Sequence, residues 1–417
     1  MIKIYAAGGS GENGRNCYAV EWSDGAILLD CGVKREINDG KIGDYPILPK
    51  ELIAKLKFVL LSHAHEDHSA ALPLVYNLGY RGKVYASEPT AKSVPGFINK
   101  WKNFVKDNNG STPFSDEDVA KVEFGTLNLG LNTIEGIEVF VGRSGHVVGS
   151  TWYEIHVEGK KVFYSGDIVV ESMLLQNDMP SKCDVAVLNC AYAGKVLKQN
   201  NQYDLLFKSI EETLSIGGKV ILPLPPNGRG CDIYEFLSKK INNAPLYVDK
   251  EIIDNYKKLS SMTDWVKEID YKTDFDNLTI ISTMEDRDEV CKKDEPALIL
   301  TQDGMLTAAQ GKYYFENLKT DSKNKVIITG HAAKGTIGAG IFDEDYCKDN
   351  SINLQKEKIV FKVHLDDEDV VVYNNHLQAE TIVLFHSPKI NTANAIANLA
   401  KSGAKAMCIM PGEGYEV

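Results

Sequence analysis

The window from His63 to His68 places four side chains that can bind a metal within six positions, in the order H-A-H-E-D-H. Three of the nine histidines of the chain fall in it. Neutral imidazoles and carboxylates are the ligands that zinc and similar divalent ions prefer. A polar surface turn has no use for this spacing, so the window indicates a metal site.

The residues around this window predict how its ligands are held. Residues 57–61 are largely apolar and predict a buried strand. After the window, apolar residues at 70, 71, 74, 75 and 78 follow the spacing of a helix. The ligands therefore lie on a strand-to-helix turn, where they converge from a rigid base.

Other polar side chains stand at or just after the ends of predicted strands. His146 lies in a loop with glycines on both sides, and Asp167 and His386 each follow an apolar stretch. Together with the first window they complete a set of seven nitrogen and oxygen ligands: His63, His65, Asp67, His68, His146, Asp167 and His386. Seven such ligands suit two ions that share one carboxylate.

Asp30 ends another apolar strand, at residues 26–29. A carboxylate there needs a partner, because burying an unpaired charge is costly. Histidines that bind a metal usually donate their second N–H to a carboxylate or a carbonyl. We therefore expect Asp30 to hold a histidine of the metal site, with capping of its own loop as the alternative.

The glycine-rich stretch at residues 8–14 contains a G-x-G-x-x-G string. A dinucleotide-binding fingerprint needs a helix next, whereas residues 16–22 read as a strand. We exclude a dinucleotide site and expect a hairpin loop close to the active site.

Composition limits the class of protein. The chain has 417 residues, too many for one ordinary core, and its 43% hydrophobic and 25% charged residues are typical of a soluble protein. No apolar run is long enough to cross a membrane. The eight cysteines contain no C-x-x-C pair, which favours a reduced, cytoplasmic protein. A net charge of −12 argues against a generally basic surface for nucleic acid but permits a local basic groove.

Helices and strands alternate from about residue 200 to residue 355, which predicts a second α/β domain with a parallel sheet. Strands return at 358–364 and 381–386. We therefore predict one domain formed by residues 1–195 and 356–417, with an inserted domain at 196–355.

The ligand window, Gly145-His146 and Ser165-Gly166-Asp167 resemble the motifs of the metallo-β-lactamase superfamily. The insert narrows the resemblance: residues 223–229, 303–306 and 330–338 are similar to motifs of the β-CASP nucleases. That family includes bacterial RNase J and the eukaryotic endonuclease that processes mRNA 3′ ends. The resemblance implies an αββα sandwich with an inserted α/β β-CASP domain.

The resemblance also implies roles for single residues. His63, His65 and His146 would bind one ion, and Asp67, His68 and His386 the other, with Asp167 as the bridge. His364, at the position of motif B, would act as general acid while a hydroxide activated by two metals attacks phosphorus. The implied catalytic residues are Asp67, His364 and Asn189, and the implied substrate contacts are Arg229, His331, Lys334 and Thr336.

Three positions depart from the family pattern. Asn189 stands where motif A has an acid, so we expect it to orient His364 without supplying charge. His331 replaces the usual tyrosine, and His386 is followed by Ser387 and Pro388 instead of glycine and glutamate. These changes suggest a divergent branch.

The expected function is metal-dependent hydrolysis of single-stranded RNA in RNA processing. The expected cofactors are two zinc ions, with manganese or iron as alternatives. The remaining alternatives are hydrolysis of a small ester, thioester or lactam on the same metal site, and RNA binding with little catalysis. The sequence does not decide between internal and terminal cleavage, and a homodimer is one option for the oligomeric state.

Overall fold

Residues 1–38, 41–401 and 403–417 are described by the computed structural model of the chain. They divide into two units. The first unit contains Met1–Val170, Gln176–Val196 and His364–Val417, and the second contains Glu171–Leu175 and Leu197–Val363. The domain limits given above stay a prediction.

Two seven-stranded sheets form the centre of the first unit. The first sheet has, from edge to edge, β22 (Glu413–Glu416), β1 (Lys3–Gly8), β2 (Cys17–Trp22), β3 (Gly25–Leu29), β6 (Leu56–Leu60), β7 (Val84–Ala86) and β8 (Phe124–Thr126). The second has β21 (Ala406–Met407), β20 (Thr381–Phe385), β13 (Val185–Asn189), β12 (Lys160–Tyr164), β11 (Thr151–Val157), β10 (Ile137–Arg143) and β9 (Gly130–Ile134). A separate pair consists of β4 (Lys34–Asn38) and β5 (Lys41–Asp44).

Each large sheet is half antiparallel and half parallel. In the second sheet, β12, β13 and β20 run parallel, so their carboxyl ends meet at one edge. In the first sheet, β3 and β6 are likewise parallel neighbours. The residues that directly follow these parallel strands therefore lie close to one another at one edge of each sheet.

Alternating side chains build the layers of this unit. Ile4, Ile27 and Leu60 from the first sheet pack with Tyr153 and Val187 from the second sheet in one buried cluster between them. The opposite face of each sheet packs against helices. The helices of this unit are α1 (Lys50–Lys55), α2 (Glu66–Ser69), α3 (Leu72–Asn77), α4 (Glu88–Asp107), α5 (Asp116–Ala120), α13 (Asp367–Leu377) and α14 (Lys389–Lys401).

Helix α4 shows why these helices dock as they do. Ser87 caps its start by accepting a hydrogen bond from the Thr90 N–H. Its buried residues include Val94, Ile98 and Trp101, at intervals of three to four positions. This spacing gives one apolar face, which packs against the first sheet.

The second unit is built around one sheet whose strands are all parallel. The sheet contains, from edge to edge, β16 (Leu278–Ile281), β15 (Leu246–Asp249), β17 (Ala297–Thr301), β14 (Lys219–Pro223), β18 (Lys325–Ile328) and β19 (Gln355–Lys358). Its helices are α6 (Gln199–Ser215), α7 (Arg229–Lys240), α8 (Lys250–Leu259), α9 (Met284–Lys292), α10 (Ala309–Leu318), α11 (Ile337–Gly340) and α12 (Glu344–Asp349).

The strand predicted at residues 358–364 is wrong. Strand β19 ends at Lys358, and residues 359–364 form no strand. Their apolar pattern reflects burial, since Phe361 is fully buried. The backbone of Lys362 bonds to the side chain of Gln199 instead of a neighbouring strand.

The predicted architecture is otherwise present: an αββα sandwich and a second α/β unit whose main segment lies between parts of the first in the chain. Among the residues that the structure describes, no helix has both the length and the apolar character that crossing a membrane requires.

Candidate metal centre

Strand ends of the first unit bring the predicted ligands together. His63 and His65 follow β6, while Asp67 and His68 lie in the short helix α2. The others follow strands of the second sheet. The structure groups them by ligand atoms that lie within 4.8 Å of one another: His63, His65, His146 and Asp167; Asp67, His68 and His386; and Asp167, His364 and His386.

The first group converges on His65. Its Nδ1 atom lies 3.0 Å from His63 Nε2 and 3.1 Å from His146 Nε2. The Oδ2 atom of Asp167 lies 3.6 Å from each of those two Nε2 atoms. Three imidazole nitrogens and one carboxylate oxygen thus face a common point.

The second group converges on Asp67. Its Oδ2 atom lies 2.9 Å from His386 Nε2 and 3.7 Å from His68 Nε2. The Oδ1 atom of Asp167 lies 3.4 Å from His68 Nε2. Asp167 therefore directs one carboxylate oxygen to each group, which is the arrangement of a bridging ligand.

Asp30 fixes the second group from behind. It accepts hydrogen bonds from His68 Nδ1 at 2.6 Å, from the Ser62 N–H at 2.6 Å and from the hydroxyls of Ser62 and Tyr164 at 2.7 and 2.6 Å. Because His68 donates through Nδ1, its Nε2 lone pair faces the ligand group. The structure thus places Asp30 against a ligand histidine, as the sequence predicts.

Two residues of the site hold a backbone conformation that non-glycine residues seldom adopt. Asp30 has φ +59° and His386 has φ +67°, each directly after its strand ends. Strain of this kind persists only where surrounding contacts fix it, and it is concentrated at functional sites. Gly32 is required nearby for a steric reason, because a Cβ there would come within 1.7 Å of the Asp67 backbone oxygen.

Electrostatics prepare several of these side chains to bind a cation. Burial lowers the pKa of His63, His65 and His146, which keeps the imidazoles neutral. Burial acts to raise the pKa of Asp67 and Asp167, but the nearby histidines outweigh it and lower both pKa values. Neutral imidazoles and ionised carboxylates are the forms that bind a metal.

The donor set fits divalent ions. The three nitrogens of the first group are His63 Nε2, His65 Nδ1 and His146 Nε2. One proton can form a hydrogen bond between only two of them, whereas one cation can bind the lone pairs of all three. Nitrogens bound at the usual zinc distance of about 2.0–2.1 Å lie roughly 3 Å from one another, as they do here. Burial acts to lower the pKa of His68 and His386, but the nearby carboxylates Asp167 and Asp67 together outweigh it and raise both pKa values.

His364 joins the cluster just before α13. Its Nδ1 atom lies 3.4 Å from Asp167 Oδ2 and has no hydrogen-bond partner. Burial lowers the pKa of His364 to about 4. Its ring packs against those of His146 and His386, at 5.1 and 5.0 Å between centroids, and lies 5.8 Å from that of Tyr192. Its role as general acid stays a prediction.

The contact that the sequence predicted between Asn189 and His364 is wrong. Asn189 Nδ2 donates to Asp167 Oδ1 at 2.6 Å and lies 3.4 Å from His386 Nδ1. Its Oδ1 accepts from the Ala191 N–H. The shift has a simple cause: Asn189 ends β13, directly between the strands that deliver Asp167 and His386, so its amide reaches those residues first.

In the second unit, the predicted substrate contacts lie at the carboxyl ends of neighbouring parallel strands. Loops after β17, β14 and β18 contain residues 303–306, 224–229 and 330–336. The Arg229 guanidinium packs on Gly330, where a Cβ would lie 2.6 Å from Nη1 and Nη2. Ligands of open parallel sheets commonly bind at such strand ends.

The four predicted side chains of this region form what we call the Arg229 cluster: Arg229, His331, Lys334 and Thr336. His331 and Lys334 are exposed. Thr336 caps α11 by accepting from the Ala339 N–H at 3.3 Å. The Gly338 N–H donates to the Met305 carbonyl at 3.0 Å, which ties two of the loops together.

Sequence reasoning missed several residues of the metal centre. Ser62 and Tyr164 both donate to Asp30, and Asn16 donates from its amide toward His68 and Asp67. A usable signal existed for Asn16, because it is a polar residue at the start of a buried strand, directly after the glycine-rich loop.

Comparisons with known proteins agree with this fold. A family model of the metallo-β-lactamase superfamily matches residues 10–215, and a model of the Beta-Casp domain matches residues 231–341. A crystal structure of a protein of unknown function from Enterococcus faecalis V583 has a TM-score of 0.65 over the full length of both chains, at 13% identity, which supports the fold alone.

Two curated relatives illustrate the range of similar proteins. Transcription termination factor FttA of Methanococcus maripaludis is 28% identical over 367 residues, which cover 82% of this chain and 58% of the relative. The RNase J-like protein of Methanocaldococcus jannaschii is 28% identical over 441 residues, which cover 96% of each. The chain thus spans less than two thirds of the first relative and nearly all of the second.

An αββα sandwich that holds a His/Asp cluster able to bind metal is the arrangement of the metallo-β-lactamase fold. The match of the Beta-Casp domain model to residues 231–341 of the second unit narrows the assignment to one branch of the superfamily. The chain belongs to the metallo-β-lactamase superfamily and to its β-CASP branch, which confirms the predicted family and fold class.

Proposed function

We propose that the chain is a metal-dependent ribonuclease that hydrolyses phosphodiester bonds of single-stranded RNA. The observation that carries the proposal is Asp167, whose two carboxylate oxygens face two separate groups of ligands. Family membership and the similarity to an RNase J-like protein support RNA as the substrate.

In this proposal two zinc ions are the cofactors. His63, His65 and His146 hold one ion, Asp67, His68 and His386 hold the other, and Asp167 contributes to both. When bound, the ions activate water for attack on phosphorus and neutralise charge that develops on the phosphate. The side chain of Asp67 is 28% exposed, whereas that of Asp167 is 2% exposed, so solvent and substrate reach the site beside Asp67.

The chain's own residues orient the reaction. Asp30 and Asn189 hold His68 and Asp167 in place. His364 lies beside Asp167, with Nδ1 3.4 Å from Oδ2, and in this proposal its neutral imidazole donates an N–H to the leaving oxygen.

The Arg229 cluster contacts the RNA in this proposal. Arg229 presents a planar guanidinium that suits a phosphate, and Lys334 adds an exposed positive charge. These residues give binding that is sensitive to salt. All eight cysteines are free thiols, which supports a cytoplasmic protein. Homodimer formation stays a prediction.

The test uses purified protein and single-stranded RNA labelled at its 5′ end. We expect cleavage that stops when a chelator removes the metal and returns when zinc or manganese is added. Product lengths then separate internal cuts from stepwise release of mononucleotides. The absence of cleavage by protein that holds two metal ions per chain would contradict the proposal, and hydrolysis of esters but not of bis(p-nitrophenyl) phosphate would favour a small-molecule hydrolase.

A further inference from the structure

Asn16 is a buried polar residue that the roles assigned so far leave out. It is fully buried, just before β2 begins. Its backbone N–H donates to the Asp67 carbonyl at 2.8 Å, and its carbonyl accepts from the Gly32 N–H at 3.1 Å. Backbone contacts on both sides therefore fix Asn16 against the segment that carries Asp67 and His68.

The side-chain amide of Asn16 faces the second ligand group. Its Nδ2 atom lies 2.9 Å from His68 Nε2 and 3.3 Å from Asp67 Oδ2. These are the ligand atoms of the group that also contains His386. The amide nitrogen thus donates to Asp67 Oδ2 and lies against His68 Nε2, in space that a cation would need.

The other end of the amide has no partner. Asn16 Oδ1 is buried without a hydrogen bond. Gly9 packs directly on it, since a Cβ on Gly9 would lie 2.4 Å from Oδ1. Leaving a buried polar atom unsatisfied destabilises the folded chain, so its retention calls for an explanation.

In this orientation the N–H groups of Nδ2 would face a bound cation, which is unfavourable. Rotation of the amide about its Cβ–Cγ bond removes this contact. The rotation removes a donor from the ligand group and presents Oδ1, an oxygen that suits a divalent cation. On the side of Gly9, Nδ2 then takes the place of Oδ1. One polar atom without a partner replaces another, so the rotation costs little free energy there.

We propose that Asn16 is a positioning residue of the metal centre whose amide turns when an ion binds. Without metal it holds Asp67 and His68 through Nδ2; with metal it directs Oδ1 to the Asp67–His68–His386 group. Asn16 thereby tunes the affinity of this group. The inference rests on the metal centre of the proposed function but not on RNA cleavage.

The test compares wild type with Asn16→Leu and Asn16→Asp by elemental analysis, chelator competition with zinc, and thermal melting. Asn16→Leu should leave the first ion bound and weaken the second by roughly 10- to 100-fold, the usual loss when a supporting residue is removed. Asn16→Asp should tighten the second ion by roughly tenfold, because a carboxylate adds charge to the donor set.

Thermal melting separates a role at the metal from a role in folding. In chelator, Asn16→Asp should melt below wild type, because it buries a second carboxylate directly beside that of Asp67. Added zinc should raise its melting temperature more than it raises that of wild type. If Asn16→Leu does not fold, the melting temperatures of Asn16→Asp and wild type, in chelator and in zinc, decide whether Asn16 acts at the metal.

Asn324→Asp is the matched control, since Asn324 is a buried amide whose two ends bond to backbone in the second unit. It should leave zinc affinity unchanged. Equal zinc affinities in wild type and both Asn16 variants would overturn the inference, and so would tighter binding by Asn16→Leu. Either result would leave RNA cleavage by the wild type, measured separately, untouched.

Discussion

The metal centre of the first unit is fixed by buried side chains, whereas the Arg229 cluster of the second unit is fixed by backbone packing. Asp30 receives four hydrogen bonds, and His63 and His68 are fully buried around it. By contrast, His331 and Lys334 are exposed on a loop, and Arg229 rests on a glycine.

This difference separates two tasks. A metal site needs donor atoms at fixed positions, so each ligand is held by a further side chain. Binding along a phosphate backbone needs charge more than fixed positions, so exposed cationic ends suffice. Changes in the metal centre should therefore affect every phosphodiester substrate, and changes in the Arg229 cluster should affect RNA alone.

The largest expected effect comes from Asp167→Asn. The variant keeps the shape of the side chain but removes the charge that both ligand groups share. We expect zinc affinity to fall by more than roughly 100-fold, beyond the loss seen for supporting residues, and cleavage of RNA and of bis(p-nitrophenyl) phosphate to disappear. Elemental analysis and both hydrolysis assays measure this. Retention of two ions by Asp167→Asn would contradict the role of Asp167 as the carboxylate that both ligand groups share.

Asp30→Asn tests the support behind the ligands. It should weaken zinc binding by roughly 10- to 100-fold, because His68 loses its charged hydrogen-bond partner. Chelator competition gives the affinity. Asp118→Asn is the control, since Asp118 is a buried carboxylate whose partners include Ser115 and Lys121 and no predicted ligand, so the variant should leave zinc affinity unchanged. Equal affinities of Asp30→Asn and wild type would show that the buried network is not needed.

Arg229→Gln tests the other region. We expect KM for RNA to rise several-fold, and the slope of log affinity against log salt to fall by about 1, because one phosphate contact is lost. Hydrolysis of bis(p-nitrophenyl) phosphate should not change. Lys239→Gln, at the far end of α7, is the matched control. An equal loss on both substrates would contradict a role in RNA binding.

Asn189→Asp should have the smallest effect on cleavage. The new carboxylate would lie against Asp167, and in chelator the free energy of unfolding should fall by about 1–3 kcal/mol. Added zinc should recover most of that loss. Cleavage should change little, because Asn189 does not contact His364. A large gain in cleavage would instead show that motif A limits a weakly catalytic protein.

The sequence predicted that the His and Asp side chains of the metal centre form one cluster, because much of the information for it is local. The window from His63 to His68 carries four ligands on one turn, and Asp167 and His386 each follow an apolar strand. Parallel strands then force these strand ends to one edge. Their individual roles as ligands stay predictions that metal analysis must test.

What the sequence did not predict depends on contacts between distant segments. Asn16 meets His68 only because its loop packs on the segment after Gly32. Asn189 turns to Asp167 and not to His364, since its strand lies between two others. Residues 359–364 carry the apolar pattern of a strand, but the chain leaves β18 at Lys362, whose backbone bonds to the Gln199 side chain. No local pattern encodes these pairings.

The most direct test of a shared carboxylate is anomalous X-ray diffraction from crystals of the zinc-loaded protein. We predict two zinc peaks about 3.5–4 Å apart, one on each side of Asp167. One should lie beside His63, His65 and His146, and the other beside Asp67, His68 and His386. A single peak in protein saturated with zinc, or two peaks that do not share Asp167, would contradict the account.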